Sequence, residues 1–222
     1  MNCEWFFYFY RMKVIATNLG SPTTFVWNGK EEQTGIFKKP VNQALFLNHN
    51  DVSKDTVIDR VHHAGPNKAC YLFASDNYDY WKQLYPDLDW DWGMFGENLT
   101  ISGLDESTLR VGNIYKLGNA LVEVSQPREP CYKLGIRFGT QQILKQFIDH
   151  NRPGTYVRIL EEGEVKTGDQ MILQTESKNE LTTQQFYQLM FMREKPKELL
   201  QLFMDNPSVP EYKKERFKKY LN

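Results

Sequence analysis

Cysteine is scarce in this chain. Cys3, Cys70 and Cys131 are the three cysteines in 222 residues. An odd number without repeated spacing excludes a disulfide framework and points to a reducing, cytoplasmic setting. There is no CxxC, and His49, His62, His63 and His150 form no HExxH pair, so the sequence offers no structural zinc site. Apolar runs of transmembrane length are missing as well, and no membrane role is expected. Charge of one sign is not in excess: 27 basic and 28 acidic residues leave a net charge of -1, which gives no global field for nucleic acid or a membrane surface. Neither a flavin fingerprint nor the four-thiolate spacing of an iron–sulfur cluster occurs.

What is present is a hydrophobic fraction of 41% in a chain long enough to bury a real core. The first eleven residues, MNCEWFFYFYR, are aromatic and their first charged residue is an acid, Glu4, unlike a secretory signal. Residues 1–12 read either as a dispensable leader or as an extra edge strand. From there, short apolar runs alternate with turn signals. Lys13–Thr17, Ala44–Leu47, Cys70–Ala74, Asn98–Ser102, Ile114–Leu117, Ala120–Ser125, Thr155–Leu160 and Gln170–Thr175 read as strands. Phe25-Val26-Trp27 runs into Asn28-Gly29, a strong hairpin signal, with Glu31–Gln33 as the return. Many short strands with Gly and Asn turns predict a mainly β barrel or sandwich. Two helices interrupt them: one after Ser75 or Asp76 that ends at Pro86, and one after Thr140. Beyond Lys178 the period becomes helical on three successive faces, punctuated by Pro196, Pro207 and Pro210. The division expected is a barrel domain over residues 13–177 and a three-helix module over 178–222. The last helix carries Lys213, Lys214, Arg216, Lys218 and Lys219, either a solvated face or a weak docking surface for an acidic partner.

The chemistry concentrates in Val124-Ser125-Gln126-Pro127-Arg128-Glu129-Pro130-Cys131-Tyr132-Lys133-Leu134. A strand enters a loop stiffened by two prolines, and Cys131 follows, flanked by Arg128 and Lys133. Nearby cations favour the thiolate, which is both nucleophile and soft metal ligand. Cys70, inside an apolar run, reads instead as an inert core residue. Two other loops can meet the thiol: His62-His63-Ala64-Gly65-Pro66-Asn67-Lys68 and Phe95-Gly96-Glu97-Asn98-Leu99. The sequon Asn98-Leu99-Thr100 has no role in a cytoplasmic protein.

HHAGPNKA, FGENLTISGL and VSQPREPCYKL, in this order and at these separations, resemble the MOSC domain, named for the C-terminal domain of molybdenum cofactor sulfurase. Within that family the resemblance is to the stand-alone YiiM-like subgroup, which also carries a three-helix tail. It covers roughly Val14 to Glu176 plus the tail. The resemblance implies a MOSC-type β-barrel with a few peripheral helices, a bound molybdenum cofactor (Mo-pterin), and a cysteine matching Cys131 that ligates molybdenum or carries sulfur. For the YiiM-like group it implies reduction of N-hydroxylated compounds by oxo transfer. His63, Gly65 and Asn67 match the family's H-G-G-x-D run, with Ala64 replacing a glycine and Asn67 an aspartate.

On that basis Arg128, Lys133 and Lys68 are expected to hold the cofactor's phosphate. Asn98 and the backbone near Gly65, Asn67 and Gly96 are expected to read the pterin. Glu97 or His63 would deliver the proton. The electrons must come from a separate electron-donor reductase. Pyridoxal phosphate belongs to another domain of the sulfurase, and no Schiff-base lysine is expected here. Two rival readings remain from the residues: a sulfur carrier using a Cys131 persulfide without turnover, and a thiol hydrolase with Cys131, His63 and Asn98 as nucleophile, base and orienting amide.

Overall fold

Apolar residues alternating in short runs produce twelve strands among the described residues, which are 12–58 and 64–221 of this computed structural model. The leader segment before Met12, and His62 and His63, lie outside the described residues. The strands are β1 (Met12–Gly20), β2 (Thr23–Trp27), β3 (Lys30–Thr34), β4 (Lys38–Val41), β5 (Leu45–Leu47) and β6 (Cys70–Ala74). They continue as β7 (Leu99–Ser102), β8 (Ile114–Leu117), β9 (Ala120–Pro127), β10 (Thr155–Glu161), β11 (Gly163–Val165) and β12 (Gln170–Thr175). Seven of them, in the order β12-β8-β9-β10-β6-β7-β1, close into a barrel because β12 pairs again with β1. Only β6 and β7 run parallel among these pairs.

Strand β1 closes the barrel with part of one edge and extends the sheet with the rest. Met12 and Lys13 pair with Met171 and Gln170 of β12. Farther along, Thr17 to Gly20 pair with β4. The other edge of β1 pairs with β7, with a shift of register between Val14 and Ala16 that bends the strand.

Two cores share β6. Cys70, Leu72 and Ala74 face the barrel interior with Val14, Leu99 and Val122. Tyr71 and Phe73 face outward, into an aromatic layer with Trp81, Phe95 and Phe147. A strand buried on both faces reads as a continuous apolar run, and CYLFA is one. The predicted hairpin forms between β2 and β3, with φ of 49° at Asn28 and 77° at Gly29, as a type I′ turn needs.

The helices are α1 (Tyr78–Leu84), α2 (Tyr132–Phe138), α3 (Gln142–His150), α4 (Thr183–Phe191), α5 (Lys197–Asp205) and α6 (Glu211–Phe217). A capping box starts α4: Thr182 Oγ1 accepts from the Gln185 N–H while Gln185 Oε1 accepts from the Thr182 N–H. Prolines 196 and 210 stand at the N-caps of α5 and α6. The tail helices bury Leu181, Phe186, Leu200, Phe203 and Phe217 together with Val111, a residue upstream of the tail. Tyr187 of α4 joins the aromatic layer on the barrel. The basic face of α6 is not wholly solvated, since Lys213 is buried and paired with Glu129.

Candidate functional site

The site begins where β9 leaves the barrel. Pro127 ends the strand, and Arg128 to Pro130 carry the chain to Cys131, an extended residue (φ -128°, ψ 168°) immediately before α2. The Cys131 carbonyl accepts the Leu134 N–H at 2.9 Å, which turns the chain into the helix. Its thiol is half-buried, while the thiol of Cys70 is fully buried. Burial pushes the Cys70 thiol far up, so it stays protonated and inert.

Cys131 lies on a wall shared by two cavities. The deeper, of about 90 Å3, is lined by Lys38, Asp55, Gly96, Asn98 and Tyr71, and by Ile58 and Ala64. The wider cleft, of about 600 Å3, lies against Gln126, Glu129, Tyr132, Tyr212, Lys213 and Arg216. Lys68, Lys133 and Tyr156 line both, as Cys131 does. Burial pushes the Tyr156 hydroxyl up to about 12, with Arg128 opposing and Cys131 adding to the rise.

A buried ion pair floors the deep cavity. Lys38 of β4 donates to Asp55 Oδ2, and both side chains are almost wholly buried. The same oxygen accepts from Asn98 Nδ2 at 2.9 Å, and Oδ1 accepts from the Gly20 N–H at 2.9 Å. Asp55 thereby ties together β1, β4 and the start of β7. Nothing in the sequence marked Lys38 or Asp55; the available signal was a lysine inside Ile36-Phe37-Lys38, where an apolar residue is the norm.

Of the residues expected here from the sequence, Cys131, Lys68, Lys133, Gly96 and Asn98 meet at the cavities. Gly96 needs its glycine twice over, for a φ of 78° and because a Cβ would stand 3.0 Å from Ile36 Cγ1. Asn98 lines the wall, but its amide is committed: Oδ1 accepts the Tyr71 N–H and Nδ2 donates to Asp55. That leaves it unsuited to orient a catalytic histidine as the hydrolase reading requires.

Four expected residues line neither cavity. Arg128 turns inward and is buried, donating to the Phe95 carbonyl, with its guanidinium carbon 5.1 Å from the Tyr71 ring centroid and 5.8 Å from that of Phe147. Burial works against its charge, but Tyr71, Tyr156 and Cys131 hold the guanidinium above its ordinary value. Glu97 is fully buried and accepts from the hydroxyls of Tyr78 and Thr100 and from the N–H groups of Gly93 and Phe95. Burial pushes its carboxyl up against the pull of those donors. It anchors the turn before β7 and lines neither cavity. Asn67 gives its side-chain oxygen to Arg158 and its carbonyl to Ser125 and Gln126. Gly65, at φ 97°, makes the turn into Pro66.

Residues from the tail complete the wide cleft, which the sequence motifs, all upstream, did not indicate. The Tyr212 hydroxyl donates to Gln126 Oε1 at 2.8 Å. Lys213 pairs with Glu129, and Arg216 lies 3.5 Å from the same carboxylate. Burial first, then Arg216 and Lys68, push the Lys213 ammonium down to about 7, and the Glu129 carboxylate in contact with it opposes that push.

The chain is similar to several known proteins. The Bacillus subtilis protein YflK is 35% identical over 174 residues, which cover 78% of each chain. A protein of Gibberella moniliformis named Reductase is 34% identical over 149 residues, covering 65% of this chain but 26% of that longer one. The crystal structure of YiiM from Geobacillus stearothermophilus superposes with a TM-score of 0.79 at 26% identity, over 95% of this chain and 100% of that one. The MOSC domain profile matches residues 59–172, a span that contains the Gly96–Asn98 turn, strand β9 and Cys131. With that profile matched over half of its length, the chain belongs to the MOSC domain family.

Proposed function

We propose that this chain is a molybdenum-cofactor-dependent oxidoreductase that reduces N-hydroxylated compounds, with Cys131 as the protein ligand to the metal. The observation that best supports it is the place of that thiol: half-buried, on the wall between a deep cavity floored by a buried ion pair and a wide cleft rich in cations. The donor set suits an anionic pterin cofactor. Cys131 offers a soft thiolate. Lys68 and Lys133, which line both cavities, can hold the anionic end. Gly96 lines the deep cavity with no side chain to fill it. Among the described residues no cluster of three or more His, Cys, Asp or Glu side chains could hold a metal ion.

When bound, the cofactor supplies two-electron oxo transfer, the hard part of the chemistry. The protein's residues do the rest. Cys131 anchors the metal, Lys68 and Lys133 balance charge, and Tyr71 and Tyr156 wall the deep cavity. The net change is R–NH–OH plus two electrons and two protons to R–NH2 and water. The electrons come in this reading from a separate reductase protein. Of the two proton donors expected from the sequence, Glu97 has its carboxylate engaged by its own turn, and His63 lies outside the described residues.

The test uses protein made in a host that synthesises the cofactor. Stoichiometric molybdenum and turnover with an artificial electron donor and a hydroxylamino substrate are expected, and both should vanish in Cys131→Ser with the melting temperature retained. Full turnover and metal in Cys131→Ser would overturn the proposal. Metal-free protein with a persulfide on Cys131 would identify a sulfur carrier instead.

A further inference from the structure

We infer that helix α6 clamps the loop that carries Cys131, and that Lys213 is the positioning residue of the clamp, acting on the thiol through Glu129. The inference concerns where the thiol is held, and it stands whether that thiol ligates a metal or carries sulfur.

Successive side chains of the loop are held by different parts of the molecule. Arg128 is fixed on the barrel side, where it donates to the Phe95 carbonyl. Glu129 is fixed on the tail side, since both cations that meet its carboxylate, Lys213 and Arg216, belong to α6. Pro127 and Pro130 restrict the backbone before and after that pair, and Cys131 comes next. Upstream of the loop, Tyr212 of the same helix donates to Gln126 at 2.8 Å. Helix α6 therefore grips the chain both at the end of β9 and within the loop.

Lys213 is unlike the other cations around it. It is 2% exposed, whereas Arg216, Lys218 and Lys219 are exposed. Besides Glu129, its ammonium meets Met190 Sδ of α4 at 3.8 Å, a weak acceptor. Burying an ammonium costs desolvation, which the carboxylate offsets; a solvated lysine would give α6 the same charge without that cost. A buried cation whose strong partner is one carboxylate is built to fix that carboxylate. Glu129 keeps 35% of its side chain exposed. Without Lys213 it therefore turns to water, and the loop is released while the fold is kept.

The rate at which iodoacetamide, an uncharged reagent, alkylates Cys131 in the full-length protein tests this without any cofactor. Mass spectrometry of the Cys131 peptide follows the reaction, and a melt of each variant checks that it is folded. Lys213→Met and Glu129→Ala should each speed alkylation by about tenfold, the scale of one lost charge-assisted hydrogen bond. The double variant should be no faster than either, because both changes open one clamp. The pair of variants separates positioning from a charge effect. Lys213→Met removes a positive charge near the thiol and Glu129→Ala a negative one, so an electrostatic influence alone would move the two rates in opposite directions. Glu129→Ala, at the partly exposed end of the pair, decides the matter if Lys213→Met does not fold. Rates equal to that of the unaltered protein in folded variants overturn the inference, as do opposite shifts, or multiplied effects in the double variant.

Discussion

Removing the guanidinium of Arg128 would leave the buried carbonyl of Phe95 without that donor and open a gap between Tyr71 and Phe147. Arg128→Ala should therefore cost about 1.5–3 kcal/mol of stability, the scale for a charged hydrogen bond, while the protein that remains folded keeps its cofactor. A denaturant melt beside a metal assay reads both, and a selective loss of cofactor at full stability would restore Arg128 to a binding role. The cysteines divide in the same manner. Cys70→Ser places a hydroxyl in the barrel core and should lower the melting temperature without touching the chemistry. His150 gives a pH signature. It stacks on Tyr80 with centroids 3.9 Å apart, and burial, aided by Arg152, pushes its imidazolium down to about 4. Above about pH 6.5, the ordinary value, the ring is neutral in both folded and unfolded chains and its contribution is complete. As pH falls from there, the unfolded chain takes the proton first, so stability declines until about pH 4, where the folded ring protonates too. Melts between pH 7 and 4 should show a smaller decline in His150→Gln; an identical decline would show that another group carries it.

At the scale of elements, the hairpin β2–β3 depends on α2. Its contact is Tyr132, stacked on Trp27 at 5.1 Å and 6.5 Å from Phe25, with its hydroxyl on Glu32. An aromatic pair of this kind contributes about 0.5–1.5 kcal/mol, so Tyr132→Leu should speed amide exchange across residues 23–34 and leave β6 protected. Uniform exchange in both would mean the hairpin holds itself. The hairpin was legible in the sequence because Asn28-Gly29 has one conformational outcome. The strands were legible because barrel closure buries alternate residues, as in Ala120, Val122 and Val124. Helix α2 was not, since it has seven residues and a glycine in its middle. A Cβ at Gly135 would fall 2.2 Å from Gln141 Nε2, so the side chain that precedes α3 would have to swing away, a packing detail that the apolar period does not display. The same limit applies at the site. The motifs located Cys131, Gly96 and Asn98, which sit at strand ends. Whether Arg128 and Glu97 turned toward the cavity or into the core was decided by partners such as Phe95 and Tyr78, and Lys38 met Asp55 only through the fold.

At the scale of the whole molecule, the tail interlocks with the barrel through both backbone and core. The Val111 N–H donates to Leu181 at 2.8 Å, Thr183 to Leu109 at 2.8 Å, and Gln184 to Glu106 at 3.0 Å. Buried Asn206 donates to the Val111 carbonyl at 3.1 Å. Val111 itself is wholly buried among tail side chains, and Tyr187 packs edge-on against Phe147 at 6.5 Å. Burial of each such side chain is worth about 1.5–3 kcal/mol, and cutting the chain after Glu176 would expose several at once along with unpaired backbone. We therefore propose that residues 178–222 share one folding unit with the barrel, in addition to supplying Tyr212, Lys213 and Arg216 to the cleft. A chain ending at Glu176 should aggregate or melt far below the intact protein. Limited proteolysis of the intact protein should find no early cut near Lys178. A soluble barrel that stays folded after cleavage there would show the tail to be a separate module.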